Sequence, residues 1–380
     1  MDFSFSKDQE QLRKAVREFV EAEVAPFAAK WDEEDICPVD VFKKMGQLGF
    51  AGVFVPMEYG GAGLGYTERA IVLEEIARHS AGLAMFLMTH HLGVAAILHF
   101  GSEDQKKKYL PDLASGQKIG ALAVTEPTGG SDLSGHQSTG EQVEGYWVLN
   151  GRKCFASNSH VAQVTVVTVK TGTDQKGRPA LSAFIIESDN PGLTSGRKEN
   201  KLGLRVSTMG DLVINNCKVG EDSILGGEGK GQRVALGIIS EVGRAGMSAI
   251  SLGILRGCLE EMVKFAKERK LYGKPISALQ AIQFSIAETR IDYEAARLLT
   301  YNALTLKDTN QRCDVDLAMA KYFSTEAVIR AAKRNIENMG GYGVINDYSA
   351  GRFMRDGLAG LPSAGASNIM KVIVAAATLA

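Results

Sequence analysis

The residue pattern of the 380-residue chain changes twice, and these changes constrain the fold more than any other feature. Up to about residue 119 the apolar residues recur at helical spacing, as in Leu12, Val16, Phe19 and Val20. From Gly120 to about residue 228 β-branched residues alternate with polar ones, and Asn-Gly and Pro-Gly pairs separate the runs. Helical spacing then returns. This order predicts an α+β protein with an N-terminal helical domain (1–119), a middle β-barrel-like domain (120–228) and a C-terminal helical bundle (229–380).

Seven helices and three strands are predicted with defined limits from periodicity and turn residues. The helix over Leu83–Phe100 has few charges, so we expect it to be buried on most sides. The other helices cover Ser6–Val24, Thr67–Ser80, Val234–Lys267, Ser277–Leu306, Asp314–Met339 and Asn368–Thr378. The strands cover Val164–Lys170, Ser182–Glu187 and Asp211–Asn215.

Composition excludes several classes of protein. The formal net charge is -1, so no overall field attracts the chain to nucleic acid or to an anionic membrane. No apolar run is expected to span a bilayer, and the N-terminus lacks the apolar core of a signal peptide. Five scattered cysteines form neither a CxxC pair nor a cluster with histidine, which argues against a metal site. We therefore expect a cytoplasmic protein without a metal, a nucleic-acid partner or a membrane partner.

One loop has unusual chemistry for its length. Residues 123–132 (AVTEPTGGSD) combine two hydroxyl groups with backbone N–H groups made accessible by adjacent glycines. Such a loop can bind a polar planar edge and a phosphate together. By itself it reads as an ordinary turn, but six further motifs follow in a fixed order. They are FASN (155–158), KLGLRVS (201–207), GEGKG (227–231), RKLYGKP (269–275), LQAIQ (279–283) and MGGYG (339–343).

In this order and spacing the seven motifs resemble those of the acyl-CoA dehydrogenases, over nearly the whole chain. The resemblance implies a C-terminal four-helix bundle and a homotetramer, with FAD lying between the β domain and the bundle and reaching a neighbouring subunit. Phe155 stands where the family usually has tryptophan against the flavin, and Glu337 where glutamine is common. The residues implied to contact FAD are Val124, Thr125, Ser131, Phe155, Ser157, Arg269, Tyr272, Gln280, Glu337, Gly340 and Gly341.

The residues implied for the substrate include one that the family places beside both ligands. Ser131 matches a position near the FAD pyrophosphate and the CoA arm, and Arg244 matches an arginine at the thioester arm. Glu241 lies three residues before Arg244, so we expect it first to be a partner of that arginine. The resemblance also implies a CoA-thioester substrate and an electron-transfer flavoprotein as electron acceptor.

The chain departs from the family at its catalytic base. The family usually places a glutamate on the loop that here reads LPSAGASN (361–368), and Ala364 occupies its position. Some members place the base one residue before the arginine, and here that residue is Gly243. A positioned base contributes roughly 10²–10⁴-fold to a rate. The backbone N–H of Ala364 remains to polarise the thioester carbonyl, as the resemblance implies for that position.

Another base is therefore needed if the enzyme dehydrogenates. The Leu83–Phe100 helix passes the acyl pocket in the family, and it carries His90 and His91. Histidine is the side chain best suited to proton transfer near neutral pH, and we predict His91, or failing that His90, as the base. Neighbours on a helix point about 100° apart, so both cannot face the pocket. The alternative is that they are structural, with Glu241 or the substrate itself supplying the base.

The missing base narrows the range of expected acyl groups, and two alternative functions remain. One subgroup of the family acts on alicyclic or unsaturated thioesters without the usual glutamate, so we expect an acyl group of this kind. The first rival is a lyase such as a desulfinase, with structural FAD; its acidic substrate needs a pocket arginine, and none occurs between Arg78 and Phe100. The second is a non-catalytic thioester-binding relative. The sequence does not distinguish CoA from an acyl-carrier protein.

Overall fold

The computed structural model describes residues 4–173 and 177–380, and its elements follow the predicted order of helices, sheet and helices. The fold class is thereby confirmed. The predicted N-terminal helices are present, including a short one that the residues Pro38 and Val39 were expected to open, together with short helices that were not predicted. In this part the helices are α1 (Lys7–Glu23), α2 (Ala28–Glu33), α3 (Val39–Gln47), α4 (Tyr66–Ala77), α5 (Ala81–Phe100) and α6 (Glu103–Ala114).

The middle part is an eight-stranded mixed sheet. Its strands are β1 (Gly120–Ala123), β2 (Thr139–Val143), β3 (Tyr146–Ser157), β4 (Val164–Thr173), β5 (Pro179–Glu187), β6 (Leu193–Lys198), β7 (Met209–Gly220) and β8 (Ile224–Leu225). Along the sheet the order is β6-β7-β3-β2-β4-β5-β8, and β1 pairs with β4 in parallel. The sheet has its own small core, in which the rings of Trp147 and Phe184 lie 5.4 Å apart. All three predicted strands are present but extend further than predicted.

The C-terminal part is helical, with one short hairpin. It contains α7 (Gly231–Ile238), α8 (Arg244–Glu268), the strand pair β9 (Lys270–Leu271) and β10 (Lys274–Pro275), α9 (Gln280–Asp308), α10 (Asp314–Met339), α11 (Ala350–Gly360) and α12 (Ser367–Leu379). The predicted continuous helix over Val234–Lys267 is divided by a π-helical segment, Ile239–Gly243. Such wider turns change the direction of the side chains that follow and are frequent at functional sites.

Two long apolar helical stretches pack inside the protein. Ala81–Phe100 and Gly231–Glu268 have the length and composition of membrane spans, which corrects the prediction that no run was long enough. In their most apolar windows 89% and 83% of the residues are buried. They belong to one large core that joins the N-terminal and C-terminal helices, as in Leu87 of α5 and Ile250 of α8. Burial of this kind is typical of the central helices of a large core.

Candidate functional site

The loop after β1 and the end of β3 lie side by side. The backbone N–H of Cys154 donates to the Thr125 carbonyl at 2.9 Å, which joins the two segments. The pairing of β3 with β7 shifts register between Lys153 and Ala156, and such a bulge re-aims the side chain that it contains. Phe155 lies in this bulge with φ 53° and is 59% exposed. The hydroxyl residues Thr125 and Ser157, on the same two segments, are half-buried.

A buried ion pair lies behind this loop, and sequence reasoning missed it. Lys153 Nζ is 2.5 Å from Glu126 Oε1 and also donates to the Val124 carbonyl at 3.3 Å. Burial alone would raise the pKa of Glu126, but hydrogen bonds from Lys153 and from the Gln137 backbone lower it below its usual value. These contacts of Lys153 hold the chain on both sides of Thr125. Ser131, further along the loop, is exposed.

The two positions at which the family carries its base meet in space. A Cβ built on Gly243 would lie 3.3 Å from the Cβ of Ala364 and 3.7 Å from Leu92 of α5. Neither of these two base positions has a proton acceptor on its side chain. Ala364 has φ 54°, and among the described residues no hydrogen bond uses its N–H. This N–H is therefore free to donate to a carbonyl oxygen.

The two histidines of α5 point elsewhere. His91 Nδ1 accepts a hydrogen bond from Arg69 Nε at 3.1 Å, so Nε2 carries the proton and donates to the Phe50 carbonyl at 3.0 Å. His90 Nδ1 accepts from the Gly120 N–H at 2.9 Å, so its proton is also on Nε2. Both side chains are fully buried. In this arrangement each basic lone pair is already used, and the geometry does not support either histidine as the base.

Burial also keeps both histidines neutral. It lowers the pKa of His90 to about 3, because the charged ring would lose its hydration. It also lowers the pKa of His91 well below its usual value, and the neighbouring Arg69 cation adds to the effect. On α5 the side chain that contacts the Gly243 position is Leu92, one residue after His91. Helical periodicity could not reveal this orientation, because α5 is apolar on nearly all sides.

A buried arginine beside the site was not predicted. Arg69 of α4 is 1% exposed, and its Nη1 donates to the carbonyl of Val242, next to Gly243. Its Nη2 has no hydrogen-bond partner among the described residues, and a Cβ built on Gly246 would lie 2.8 Å from it. Burial lowers the pKa of Arg69 to about 10. The only sequence signal was an arginine directly before the apolar run Ala70–Leu73 of α4.

Arg244 and Glu241 do not form the expected pair. Glu241 instead forms an ion pair with Lys307 of α9, so the expectation that it partners Arg244 is wrong. Glu241 lies within the π-helical segment and Arg244 directly follows it, so the two residues do not have the i, i+3 geometry of a regular α-helix on which the expectation rested. Arg244 is buried, and its Nε has no partner among the described residues. A buried guanidinium with a free N–H is suited to bind an oxygen of a ligand.

The remaining predicted FAD residues lie on the C-terminal bundle. Arg269 places its guanidinium 5.3 Å from the ring centre of Tyr342, which follows Gly340 and Gly341. Tyr272, at the tip of the β9–β10 hairpin, is 96% exposed, and Gln280 at the start of α9 is also exposed. Glu337 forms an exposed ion pair with Lys333, four residues earlier.

Among the described residues no backbone hydrogen bond joins these bundle residues to Thr125 or Phe155. A Cβ built on Gly340 or Gly341 would have no atom of the described residues within 4 Å of it. The backbone at these two glycines is therefore open to the close approach of a ligand. Residues 4–173 and 177–380 contain no cluster of histidine, cysteine, aspartate and glutamate that could hold a metal. The five cysteines are unpaired.

Comparison with known proteins identifies the family. Family models for the N-terminal, middle and C-terminal domains of acyl-CoA dehydrogenase match residues 6–117, 121–217 and 229–379. A glutaryl-CoA dehydrogenase from Desulfococcus multivorans is 41% identical, with 99% of this chain and 97% of that protein covered. The butyryl-CoA dehydrogenase of Megasphaera elsdenii superposes with a TM-score of 0.97 at 32% identity, covering all of both chains. The structure of PigA with FAD and proline superposes at 0.94 with 29% identity, covering 100% of this chain and 99% of that one. The chain therefore belongs to the acyl-CoA dehydrogenase family.

Proposed function

We propose that this protein is an FAD-dependent oxidoreductase that acts on a CoA thioester without a glutamate at either usual base position. The observation that carries this proposal is the meeting of Gly243 and Ala364, whose Cβ positions would be 3.3 Å apart. Neither side chain can take a proton beside the carbonyl of a saturated chain. An alicyclic or unsaturated acyl group, whose acidic proton lies further from the carbonyl, does not need a base at these two positions.

The residues present fit FAD. The exposed Phe155 side chain offers an apolar face, and Thr125 and Ser157 on the same two segments offer hydroxyl groups, which suits a flavin ring with polar atoms on its rim. Arg269 and the open backbone at Gly340 and Gly341 suit the pyrophosphate. When bound, FAD accepts a hydride. PigA is described with FAD, which supports the same cofactor here.

Two groups of this chain support binding of a thioester. The free N–H of Ala364 can donate to the thioester carbonyl and stabilise negative charge that develops on its oxygen. The unpaired Nε of buried Arg244 can donate to an oxygen of the CoA arm. Glutaryl-CoA and butyryl-CoA are named as substrates of the relatives, which supports a CoA thioester as the substrate class.

The proton leaves to a group other than residues 243 and 364. Because both α5 histidines use their lone pairs within the protein, we propose that a remote acidic proton of an unsaturated or alicyclic acyl group is lost. Glu241 is the carboxylate nearest in sequence to Gly243, and it is half-exposed beside Lys307. It stands as the candidate base in place of His91.

Arg69 favours a second candidate, the lyase that acts on an acidic acyl group. The sequence lacks an arginine between Arg78 and Phe100, but Arg69 brings a buried guanidinium to the α5–α8 junction from the preceding helix. Its described partners are a histidine and a backbone carbonyl, so the charge has no carboxylate partner among them. A carboxylate or sulfinate on the acyl chain would provide one.

We further propose the electron acceptor, the oligomeric state and the cellular compartment of the enzyme. An electron-transfer flavoprotein would take the electrons, as the family resemblance implies. The bundle residues Arg269 and Gln280 would complete the FAD site of a neighbouring subunit, most simply in a homotetramer. The five unpaired thiols fit a reducing compartment such as the cytoplasm.

Anaerobic titration of the FAD-loaded protein with three thioesters tests these proposals. We expect cyclohexenecarbonyl-CoA to bleach the flavin absorbance at least about 100-fold faster than butyryl-CoA. A sulfinated acyl-CoA that is consumed without bleaching would establish the lyase instead. A colourless protein that takes up no FAD would overturn both proposals, and rapid bleaching by butyryl-CoA would show that a base for saturated chains is present.

A further inference from the structure

A buried lysine holds the loop that carries Ala364. Lys321 of α10 is fully buried, and its Nζ donates to the carbonyl of Leu361 at 2.7 Å and to that of Gly365 at 2.8 Å. These two acceptors lie on either side of Ala364. One ammonium group therefore closes the loop that presents the free N–H.

The loop needs such a hold because its own conformation is unfavourable. Ala364 has φ 54°, a left-handed conformation that is unfavourable for a non-glycine residue because its Cβ comes too close to the following carbonyl oxygen. Gly365 follows with φ 105°, and no side chain caps the N-terminus of α12 at Ala366. Contacts from outside the loop must therefore keep it in place.

A second side chain of α10 fixes the end of the loop. Ser367, the first residue of α12, donates its hydroxyl to Glu326 Oε1 at 2.9 Å. Lys321 and Glu326 thus hold the segment from Leu361 to Ser367 against α10. The loop can shift relative to α8, which carries Gly243 and Arg244, only if these bonds break.

The ammonium group of Lys321 loses its hydration when it is buried. Its described partners are carbonyl oxygens and not carboxylates, and burial lowers its pKa to about 8. A neutral amine still has two N–H groups, so both hydrogen bonds survive loss of the third proton. A methionine would fill the same space without the cost of burying a charge, so the hydrogen bonds are what the lysine adds.

We propose that Lys321 is a positioning residue that sets the direction of the Ala364 N–H toward the thioester carbonyl. The inference rests on the proposed function only for the identity of the acceptor. The hold on the loop is a property of the protein alone. A misplacement of a reacting group by about 1 Å costs up to about 100-fold in rate, so the hold matters for catalysis.

Two measurements on FAD-loaded protein test the proposal with Lys321→Met, Lys321→Arg and a matched control, Lys201→Met. Lys201 also donates to two backbone carbonyls, of Leu204 and Ser207, and its pKa is also lowered to about 8 by burial. Hydrogen exchange followed by mass spectrometry reports the mobility of the loop in the absence of a thioester. The absorption maximum of bound 4-(dimethylamino)cinnamoyl-CoA reports how strongly its carbonyl is polarised.

In Lys321→Met we expect amide exchange over residues 361–367 to accelerate at least about tenfold and the red shift of the bound chromophore to shrink. Lys321→Arg should restore part of both, and Lys201→Met should change neither. Unaltered exchange and an unaltered red shift in Lys321→Met would overturn the inference. A third outcome separates the two proposals. If Lys321→Met exchanges faster but the chromophore shows no red shift even when it is bound to the parent protein, Lys321 holds the loop and the proposed thioester site is wrong.

Discussion

The hydrogen of Gly243 and the methyl group of Ala364 face each other at the centre of the site, and neither accepts a proton. We expect Ala364→Glu to raise the rate of flavin bleaching by butyryl-CoA by about 100-fold or more, because it supplies a base beside the substrate. Gly243 has no Cβ to collide with the new side chain. Stopped-flow absorbance under anaerobic conditions measures the rate.

Ala364→Gln is the matched control for this prediction. Glutamine has the size of glutamate but cannot take a proton at neutral pH. Equal rates for the Glu and Gln variants would show that size, and not basicity, limits the parent enzyme at position 364.

The two α5 histidines predict how stability depends on pH. Unfolded histidine has a pKa near 6.5, whereas His90 in the folded protein has a pKa of about 3. Between these values the unfolded chain binds a proton that the folded chain does not, so stability falls as the pH falls below 6.5. At pH 5 this amounts to about 2 kcal/mol for His90 relative to neutral pH.

His90→Asn tests this dependence. Asparagine can accept the Gly120 N–H through its side-chain oxygen but does not titrate. We expect the free energy of unfolding, measured in urea, to fall less between pH 7 and pH 5 than it does in the parent. His160→Asn is the control, because that ring is only partly buried. Identical pH dependence in the parent and His90→Asn would contradict the assignment.

At the scale of elements, the close approach of α4 to α8 depends on Gly253. A Cβ at this position would lie 2.4 Å from the Glu74 carbonyl oxygen and 2.5 Å from the Ala77 Cβ. We expect Gly253→Ala to lower the free energy of unfolding by roughly 1–3 kcal/mol, because backbone must move to admit the methyl group. This loss exceeds the gain of up to about 1 kcal/mol in helix propensity. Urea or thermal unfolding measures the change.

Gly237 of α7 provides the matched comparison. A Cβ there meets only the Phe100 ring, at 3.4 Å, which is an ordinary contact. Gly237→Ala should therefore leave stability unchanged or raise it by a few tenths of a kcal/mol. If both variants lose stability equally, helix packing at Gly253 is not the cause.

The sequence predicted elements better than side-chain directions. Periodicity located the helix over Asp314–Met339 to the residue, and the alternation after Gly120 located the sheet. The π-helical segment Ile239–Gly243 was not predicted, because five residues of wider turn hardly disturb an apolar pattern. That segment decides which way Glu241 points.

The candidate site was predicted in part, for a similar physical reason. Motif register placed Gly243 and Ala364 at the family's base positions, and the structure brings them into contact. The direction of the two histidines, which were predicted as the base, could not be read from the sequence. Because α5 is buried on nearly every face, its sequence has no polar side to show its orientation. Arg69 and Lys321 lie on other helices, and their approach to the site depends on tertiary packing that the sequence does not display.

At the scale of the whole molecule, one apolar stripe lies on the surface of the described part of the chain. It consists of Phe284, Ile291 and Leu298, which repeat every seven residues along α9 and are 57%, 67% and 41% exposed. Val372 and Leu379 of α12 are exposed as well. An exposed apolar stripe along one helix face marks a protein interface. The exposed Arg269 and Gln280 adjoin the start of α9, so assembly along this stripe would bring them toward a second subunit.

We expect Ile291→Lys to dissociate the proposed oligomer and to loosen FAD in the same concentration range. Ile291 is 67% exposed, so in the free subunit lysine is accepted without loss of packing, whereas in the interface it would bury an unpaired charge. Leu48→Lys is the control, since Leu48 is 54% exposed in the N-terminal part, away from α9. Sedimentation velocity with detection at 280 nm and at the flavin absorbance measures assembly and cofactor together. Because the proposed neighbour supplies Arg269 and Gln280, the two signals should fall together in Ile291→Lys and remain in Leu48→Lys. A parent protein that sediments as a monomer with FAD fully bound would show that each chain completes its own cofactor site.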